Sequence, residues 1–137
     1  MIVSNKISEI MLIDDDVPTN YLSNLIIEDK NCCETVSTFN MATEAINALK
    51  ENQSNNQKLP DIILLDLNMP RMNGWEFMEA FNQFSFEKQM PKVYILTTSM
   101  NPDDKTKALK TSSVAGFRKK PLDEDMLDEI IAEFEGE

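Results

Sequence analysis

Five short apolar runs, each followed by a segment that can form a helix, constrain the fold of this chain most strongly. Runs of four or five residues rich in β-branched or aromatic side chains predict strands. The central runs are apolar at every position, which is typical of strands buried on both faces of a parallel sheet. The predicted strands are Ile10–Ile13, Thr35–Phe39, Ile62–Leu65, Val93–Leu96 and Val114–Phe117.

A helix is predicted after each strand. The segment Trp75–Phe84 is apolar enough to form the third helix. For the fourth helix, Asn101-Pro102 supplies a cap and a first-turn proline. The first, second and fifth show apolar residues at helical spacing. Five strand–helix units predict an α/β fold, a doubly wound parallel sheet with helices on both faces. The expected apolar faces are Leu22, Leu25 and Ile26; Ala42, Ala45, Ile46 and Leu49; and Leu127, Ile130, Ile131 and Phe134.

The length of 137 residues and the lack of a long linker predict one domain over residues 1–137, with a core from about residue 7 to 134. The polar stretch Asn52–Lys58 is expected to be a surface loop. No output domain is expected before or after this core.

Composition excludes several classes of function. The chain has no histidine, which removes Ser-His-Asp catalysis and His-ligated zinc. Cys32 and Cys33 are adjacent, a spacing that does not build a disulfide framework. No run approaches the ~20 apolar residues of a membrane span, and the N-terminus does not resemble a signal peptide. We therefore expect a cytoplasmic protein without membrane insertion.

The net charge is −11, and eight acidic residues lie between Asp123 and Glu137. Nothing resembles the basic face that contacts a nucleic-acid backbone, so nucleic-acid binding is not expected. The acidic end of the chain instead favours a protein partner with a basic patch.

Polar side chains follow four of the predicted strands where each strand ends. The segments are 14–16 (Asp-Asp-Asp), 66–68 (Asp-Leu-Asn), 97–99 (Thr-Thr-Ser) and 119–121 (Lys-Lys-Pro). In a doubly wound sheet, ligands bind outside the carboxyl ends of the strands. Clustered carboxylates suit a hard cation such as Mg²⁺ or Mn²⁺, and an added amine and hydroxyl suit a phosphoryl group. An aspartate can act as the nucleophile and form an aspartyl phosphate.

Each of these residues also has a purely structural interpretation. One of Asp14–Asp16 can cap the following helix, and Asp16 is the best candidate for that role. Asp66 can be a turn residue, Lys120 a solvated lysine and Thr97 an ordinary strand residue. Their joint occurrence at four strand ends favours the functional interpretation.

Four motifs in order carry a family resemblance: MLIDDD at 11–16, DIILLDLNMPRMNG at 61–74, VYILTTS at 93–99 and GFRKKP at 116–121. With them, the chain resembles the receiver domain of two-component response regulators, in particular the stand-alone chemotaxis-type regulators. The resemblance spans about residues 7–134. It implies a flavodoxin-like (βα)5 fold with strand order 2-1-3-4-5.

The resemblance also implies a role for each site residue. Asp66 matches the phosphoacceptor, and Thr97 and Lys120 match the residues that contact its phosphoryl oxygens. Thr97 and Phe117 match the switch pair, Gly74 ends the loop after the acceptor, and the Lys120–Pro121 bond is expected to be cis. The implied Mg²⁺ ligands are Asp15 directly, Asp14 mainly through water, Asp66, and Asn68 through its backbone carbonyl.

By the same resemblance, the chain is a phosphoacceptor that promotes its own phosphorylation and dephosphorylation rather than an enzyme. The donor would be a histidine kinase or histidine phosphotransfer protein. A downstream protein would bind the face formed by the fourth helix, fifth strand and fifth helix. Two alternatives are a phosphorylation-independent interaction module and a haloacid-dehalogenase-like phosphatase. The phosphatase would need an acid where Asn68 stands, and its nucleophile would follow the first strand.

Overall fold

The computed structural model describes residues 7–86 and 90–136. Its five strands are all parallel and lie in the order β2-β1-β3-β4-β5, so the predicted doubly wound fold and strand order are confirmed. The strands are β1 Ile7–Ile13, β2 Cys33–Phe39, β3 Ile62–Leu65, β4 Lys92–Thr97 and β5 Val114–Lys119. The helices are α1 Val17–Lys30, α2 Ala42–Ser54, α3 Gly74–Phe81, α4 Pro102–Lys110 and α5 Glu124–Glu135.

Alternate residues of the central strands enter two separate core layers. Met11, Ile63 and Val93 pack with buried residues of α2 and α3. Ile10, Ile62 and Tyr94, on the opposite face, pack with buried residues of α1 and α5. Because both faces are covered, the central strands have no polar face, and charged groups are left to the strand ends.

Helix α1 packs on a different face from the one its apolar residues predicted. Leu22 and Leu25 are 58% and 44% exposed, whereas Asn20, Ser23 and Ile27 are buried. The prediction of a buried Leu22–Leu25–Ile26 face is therefore wrong, although Ile26 packs partly against the core. The physical reason is that polar side chains of α1 face the polar edge of the sheet. Asn20 satisfies its buried amide there through hydrogen bonds.

The remaining differences are at element boundaries. α2 continues to Ser54, so the first residues of the predicted Asn52–Lys58 loop are helical. α3 ends at Phe81, and Phe84 stacks on Phe81 from the following segment. The buried residues predicted for α2 and α5 are confirmed, apart from Ile131, which is half-buried.

Polar side chains cap the first turns of α1 and α4. The Asp16 carboxylate accepts a hydrogen bond from the Thr19 amide at the start of α1, as the sequence predicted. Asn101 caps α4 and Pro102 is its first residue, again as predicted. Within the described ranges, no helix is long and apolar enough to cross a membrane.

The contact between β4 and β5 depends on a glycine. Gly116 lies opposite Tyr94 in the β4–β5 register, and a Cβ atom there would be 2.8 Å from the Tyr94 ring. The ring is buried and its hydroxyl donates a 2.8 Å hydrogen bond to Glu133 of α5, so it has little freedom to move.

We therefore expect Gly116→Ala to lower the free energy of unfolding by about 1–3 kcal/mol, the usual cost of overpacking. Urea unfolding measures this change. The matched control is the same substitution in a Tyr94→Leu background, where the obstructing ring is gone and the added penalty should largely disappear. An equal penalty in both backgrounds would contradict the contact as its cause.

Candidate functional site

Three carboxylates meet at the carboxyl edge of the sheet. Asp14 follows β1 and Asp66 follows β3, and an oxygen of each lies within 4.8 Å of an oxygen of Asp15. Asp14 and Asp66 are each only 5% exposed, whereas Asp15 is exposed. The structure thus brings together the three acidic residues that the sequence predicted as metal ligands.

Backbone hydrogen bonds between neighbouring strand ends hold this arrangement. The Asp66 amide donates to the Ile13 carbonyl over 2.9 Å, and the Asp14 amide donates to the Phe39 carbonyl over 3.0 Å. The carboxylates therefore project from the ends of strands in a rigid sheet, which fixes the distances between them.

Lys120 supplies the opposing charge. Its ammonium group forms ion pairs with both Asp14 and Asp66, and the Asp66 contact is 3.3 Å long. The Lys120 amide donates a 3.1 Å hydrogen bond to the carbonyl of Thr97, which ties the residue to the end of β4. The Lys120–Pro121 peptide bond is cis, as predicted.

The pKa values of Asp66 and Lys120 reflect both their burial and the charges around them. Burial raises the pKa of Asp66, and the nearby Asp14 carboxylate raises it further, while Lys120 lowers it without cancelling the rise. Burial lowers the pKa of Lys120, but hydrogen bonds and charge attraction from Asp14 and Asp66 outweigh that effect and raise it overall. The site therefore holds more negative charge than Lys120 alone can balance.

The two predicted switch residues lie on adjacent strands. Thr97, the last residue of β4, is fully buried, and its hydroxyl oxygen accepts a 3.1 Å hydrogen bond from the Ser99 amide. Phe117 of β5 lies opposite Ile95 and packs against the core layer that contains Ile95 and Ala108. Because Thr97 and Ile95 are two residues apart on one strand, Thr97 and Phe117 share a face of the sheet.

Asn68 is exposed, and its backbone forms a hydrogen bond with the Asp66 carboxylate that favours the charged form and lowers its pKa. Its expected role as a metal ligand through the carbonyl stays a prediction. Gly74 closes the loop after Asp66: its amide donates to the Leu67 carbonyl, and a Cβ atom would lie 2.7 Å from the Asp66 carbonyl oxygen. Only glycine permits this close approach.

Asn20 is a site residue that the sequence analysis missed. Its buried amide donates to the Asp14 carbonyl at 2.9 Å and to the Asn40 side chain at 3.0 Å, which joins α1 to the ends of β1 and β2. Together with Thr19, Ser23 and Lys120, it lines a small cavity beside Asp14 and Asp66. The signal in the sequence was a polar stripe, Asp16, Asn20 and Ser23, at helical spacing directly after the acidic residues.

The donor set fits a hard divalent cation. Converging carboxylate oxygens are the ligands that Mg²⁺ and Mn²⁺ take, and the excess negative charge around Asp66 favours cation binding. Asp14, Asp15 and Asp66 would hold the ion, with Lys120 as a competing and mobile positive charge.

Comparison with known proteins identifies the family. Residues 10–132 match the family model of the response regulator receiver domain, and the chain belongs to this family. A crystal structure of a two-component response regulator from Cytophaga hutchinsonii is 33% identical, with a TM-score of 0.87 over 97% of this chain and 100% of that chain. Response regulator Rcp1 from Synechocystis is 29% identical over 74% of this chain and 69% of its own length.

A further match is the crystal structure of the phosphorylated cyanobacterial phytochrome response regulator RcpA. It is 26% identical, with a TM-score of 0.73 over 93% of this chain and 91% of that chain. Receiver domains generally bind Mg²⁺ at an acidic pocket and interact with histidine kinases or phosphotransfer proteins. The family predicted from the four motifs is therefore confirmed.

The raised pKa of Asp66 predicts a pH-dependent stability. The folded protein keeps a proton on this carboxyl at pH values where the unfolded chain has already lost it. Stability therefore falls as the pH rises from the ordinary aspartate pKa through the raised value, and the charged carboxylate destabilises the fold at neutral pH.

Asp66→Asn should consequently raise the melting temperature in EDTA at neutral pH. A gain of about 1 kcal/mol corresponds to roughly 3–4 °C for a domain of this size. The gain should vanish below the ordinary pKa of an aspartate, where both side chains are neutral. The exposed Asp103→Asn is the matched control, and a gain at Asp66 that did not depend on pH would contradict the electrostatic cause.

Proposed function

We propose that Asp66 accepts a phosphoryl group from a histidine kinase or a histidine phosphotransfer protein in a reaction that depends on Mg²⁺ or Mn²⁺. The observation that carries the proposal is the convergence of Asp14, Asp15 and Asp66 with Lys120 beside the buried Thr97. Membership of the receiver family and the phosphorylated state of the RcpA structure support it.

The reaction uses few groups, because phosphoryl transfer needs mainly positioning and charge stabilisation. A carboxylate oxygen of Asp66 attacks phosphorus, the P–N bond of the phosphohistidine breaks, and the imidazole leaves with that electron pair and takes up a proton. Lys120 is placed to pair with a phosphoryl oxygen, since its ammonium group already contacts Asp66. A bound divalent cation would supply positive charge to the phosphoryl oxygens and offset the repulsion among the carboxylates.

The product is an acyl phosphate on the chain itself. Water then cleaves the bond to phosphorus, which releases phosphate and restores the carboxylate. In this proposal the protein is a phosphoacceptor that promotes both steps on its own side chain, not an enzyme that acts on other molecules.

The expected result is one added phosphoryl group when the protein is mixed with acetyl phosphate and Mg²⁺, measured by intact mass. Asp66→Asn or EDTA should abolish the added mass. Asp15→Asn should slow uptake and weaken Mg²⁺ binding, because it removes one ligand. A wild-type protein that binds Mg²⁺ but is never phosphorylated would favour the phosphorylation-independent interaction module.

The exposed face of α1 is the proposed docking surface for the phosphodonor. It consists of Val17, Tyr21, Leu22 and Leu25, which are between 44% and 63% exposed. This apolar surface begins directly after the acidic residues, and the opposite side of the same helix lines the cavity beside Asp66. A donor bound there would hold its phosphohistidine next to the acceptor, and an exposed apolar patch is typical of a protein interface.

Leu22→Asp should therefore slow phosphotransfer from a phosphorylated histidine phosphotransfer protein on the order of tenfold, the loss of about 1.4 kcal/mol. Uptake from acetyl phosphate, which needs no docking surface, should not change. Leu109→Asp, a substitution at a leucine of α4 that is 78% exposed, is the matched control. Equal rates for Leu22→Asp and wild type with the protein donor would exclude this surface.

The signal would leave through a downstream protein bound to the face formed by α4, β5 and α5. Part of the acidity of this face is balanced within the chain. Lys30 of α1 pairs with Glu124 and Asp128, and Arg118 of β5 pairs with Glu129 and Glu133. The charge available to a basic partner is thus smaller than the sequence alone suggested.

A further inference from the structure

A chain of hydrogen bonds outside the acidic site joins the end of β4 to α3 and α4. The Ser99 amide donates to the Thr97 hydroxyl oxygen over 3.1 Å, and the Ser99 hydroxyl donates to the Asp104 carboxylate. The other oxygen of Asp104 accepts a 3.0 Å hydrogen bond from the indole nitrogen of Trp75. We refer to Ser99, Asp104 and Trp75 as the bridge.

Both ends of the bridge reach residues at the proposed phosphorylation site. Trp75 directly follows Gly74, which packs against the backbone of Asp66 and Leu67. Ser99 contacts the hydroxyl of Thr97. The bridge therefore connects α3, which begins beside the acceptor, with the β4–α4 loop, which begins directly after Thr97.

Helix α4 packs against β5 with little buried apolar surface. The structure describes all of α4, and only Ala108 is buried, while Leu109 is exposed to solvent. The ammonium group of Lys107 lies over the Trp75 ring, 4.7 Å from its centroid. Asp104 and Lys107 thus contact the same indole. These polar contacts attach α4 to α3 in place of a buried apolar helix face.

The hydroxyl of Thr97 accepts from its present partner and keeps a proton to donate to a ligand on Asp66, but a side chain that moves toward that ligand moves away from this partner. Its oxygen now accepts from the Ser99 amide, and turning toward the acidic site stretches or breaks that bond. A moved Ser99 carries its own hydroxyl away from Asp104, which leaves the carboxylate with Trp75 alone.

We propose that the Ser99–Asp104–Trp75 bridge holds the β4–α4 loop against α3 in the unphosphorylated protein and opens when a phosphoryl group on Asp66 draws Thr97 toward it. Asp104 is then a positioning residue that opposes activation. The proposal rests on the proposed function, because it needs a ligand at Asp66 to open the bridge.

The direction of the effect follows from linkage. An interaction present only in the unliganded state lowers the apparent affinity for the ligand, so removing it raises that affinity. A contact with a purely structural role would change the melting temperature and leave the affinity unaltered.

The test is a titration of beryllium fluoride, a phosphoryl mimic, in the presence of Mg²⁺, followed by backbone amide shifts around Asp66. We expect Asp104→Ala to bind it roughly 5–10-fold more tightly than wild type, within the usual range of coupling between sites. Trp75→Phe, which keeps an aromatic ring without the indole N–H, should give a similar gain. Asp103→Ala, the same substitution one residue earlier, is the matched control and should bind like wild type.

Four further outcomes are distinguishable. Trp75 is the only tryptophan, so its fluorescence should change when beryllium fluoride is added to wild type and should not change in folded Asp104→Ala. The double variant Trp75→Phe, Asp104→Ala should gain no more than either single one, because both remove the same bond. Folded variants that bind like wild type would overturn the bridge, whereas a wild type that binds no beryllium fluoride would overturn the proposed function and the bridge's role with it.

Discussion

The contact of the Lys120 ammonium group with two buried carboxylates, Asp14 and Asp66, determines the electrostatics of the candidate site. Each of the three comes from a different strand end, and the sheet offers no other place for them because helices cover both of its faces. Burial raises the pKa of Asp66, and repulsion from Asp14 raises it further, so the pKa stays above its ordinary value despite the nearby lysine. The site is therefore under electrostatic strain that a bound cation would relieve.

Such strain persists only where the surrounding backbone is rigid. Here the ends of adjacent strands hold one another through the amides of Asp14, Asp66 and Lys120, and the α3 backbone packs against Asp66 at Gly74. The stability of the two core layers thus offsets the cost of the site. Helix α1 also supports the site: its polar side contacts the end of β1, and apolar residues on its other side are exposed to solvent.

The strands and the site residues could be predicted because both follow from a strong local signal. A run such as Ile62–Leu65 is too apolar for a surface strand, and Asp66 follows it at the edge where parallel strands place their ligands. Which face of α1 is buried could not be predicted in this way. Helical periodicity assumes that apolar residues face the core, whereas Asn20 and Ser23 are buried because the sheet edge presents backbone carbonyls and carboxylates. The bridge was equally hidden, since Trp75 and Asp104 are 29 residues apart and no local pattern pairs them.

The helices bury different amounts of apolar surface, and this difference determines which helix the proposed switch moves most easily. α2 and α5 each bury several apolar residues, so moving either helix would expose core surface and cost several kcal/mol at about 25 cal/mol per Å². α4 buries only Ala108 along its described length, and its Asp104 makes polar contacts with Trp75 and Ser99. Hydrogen bonds of this kind exchange with water at a net cost of about 0.5–1.5 kcal/mol each. In the proposed switch, a change in charge at Asp66 that moves Thr97 would therefore displace α4 more easily than α2 or α5.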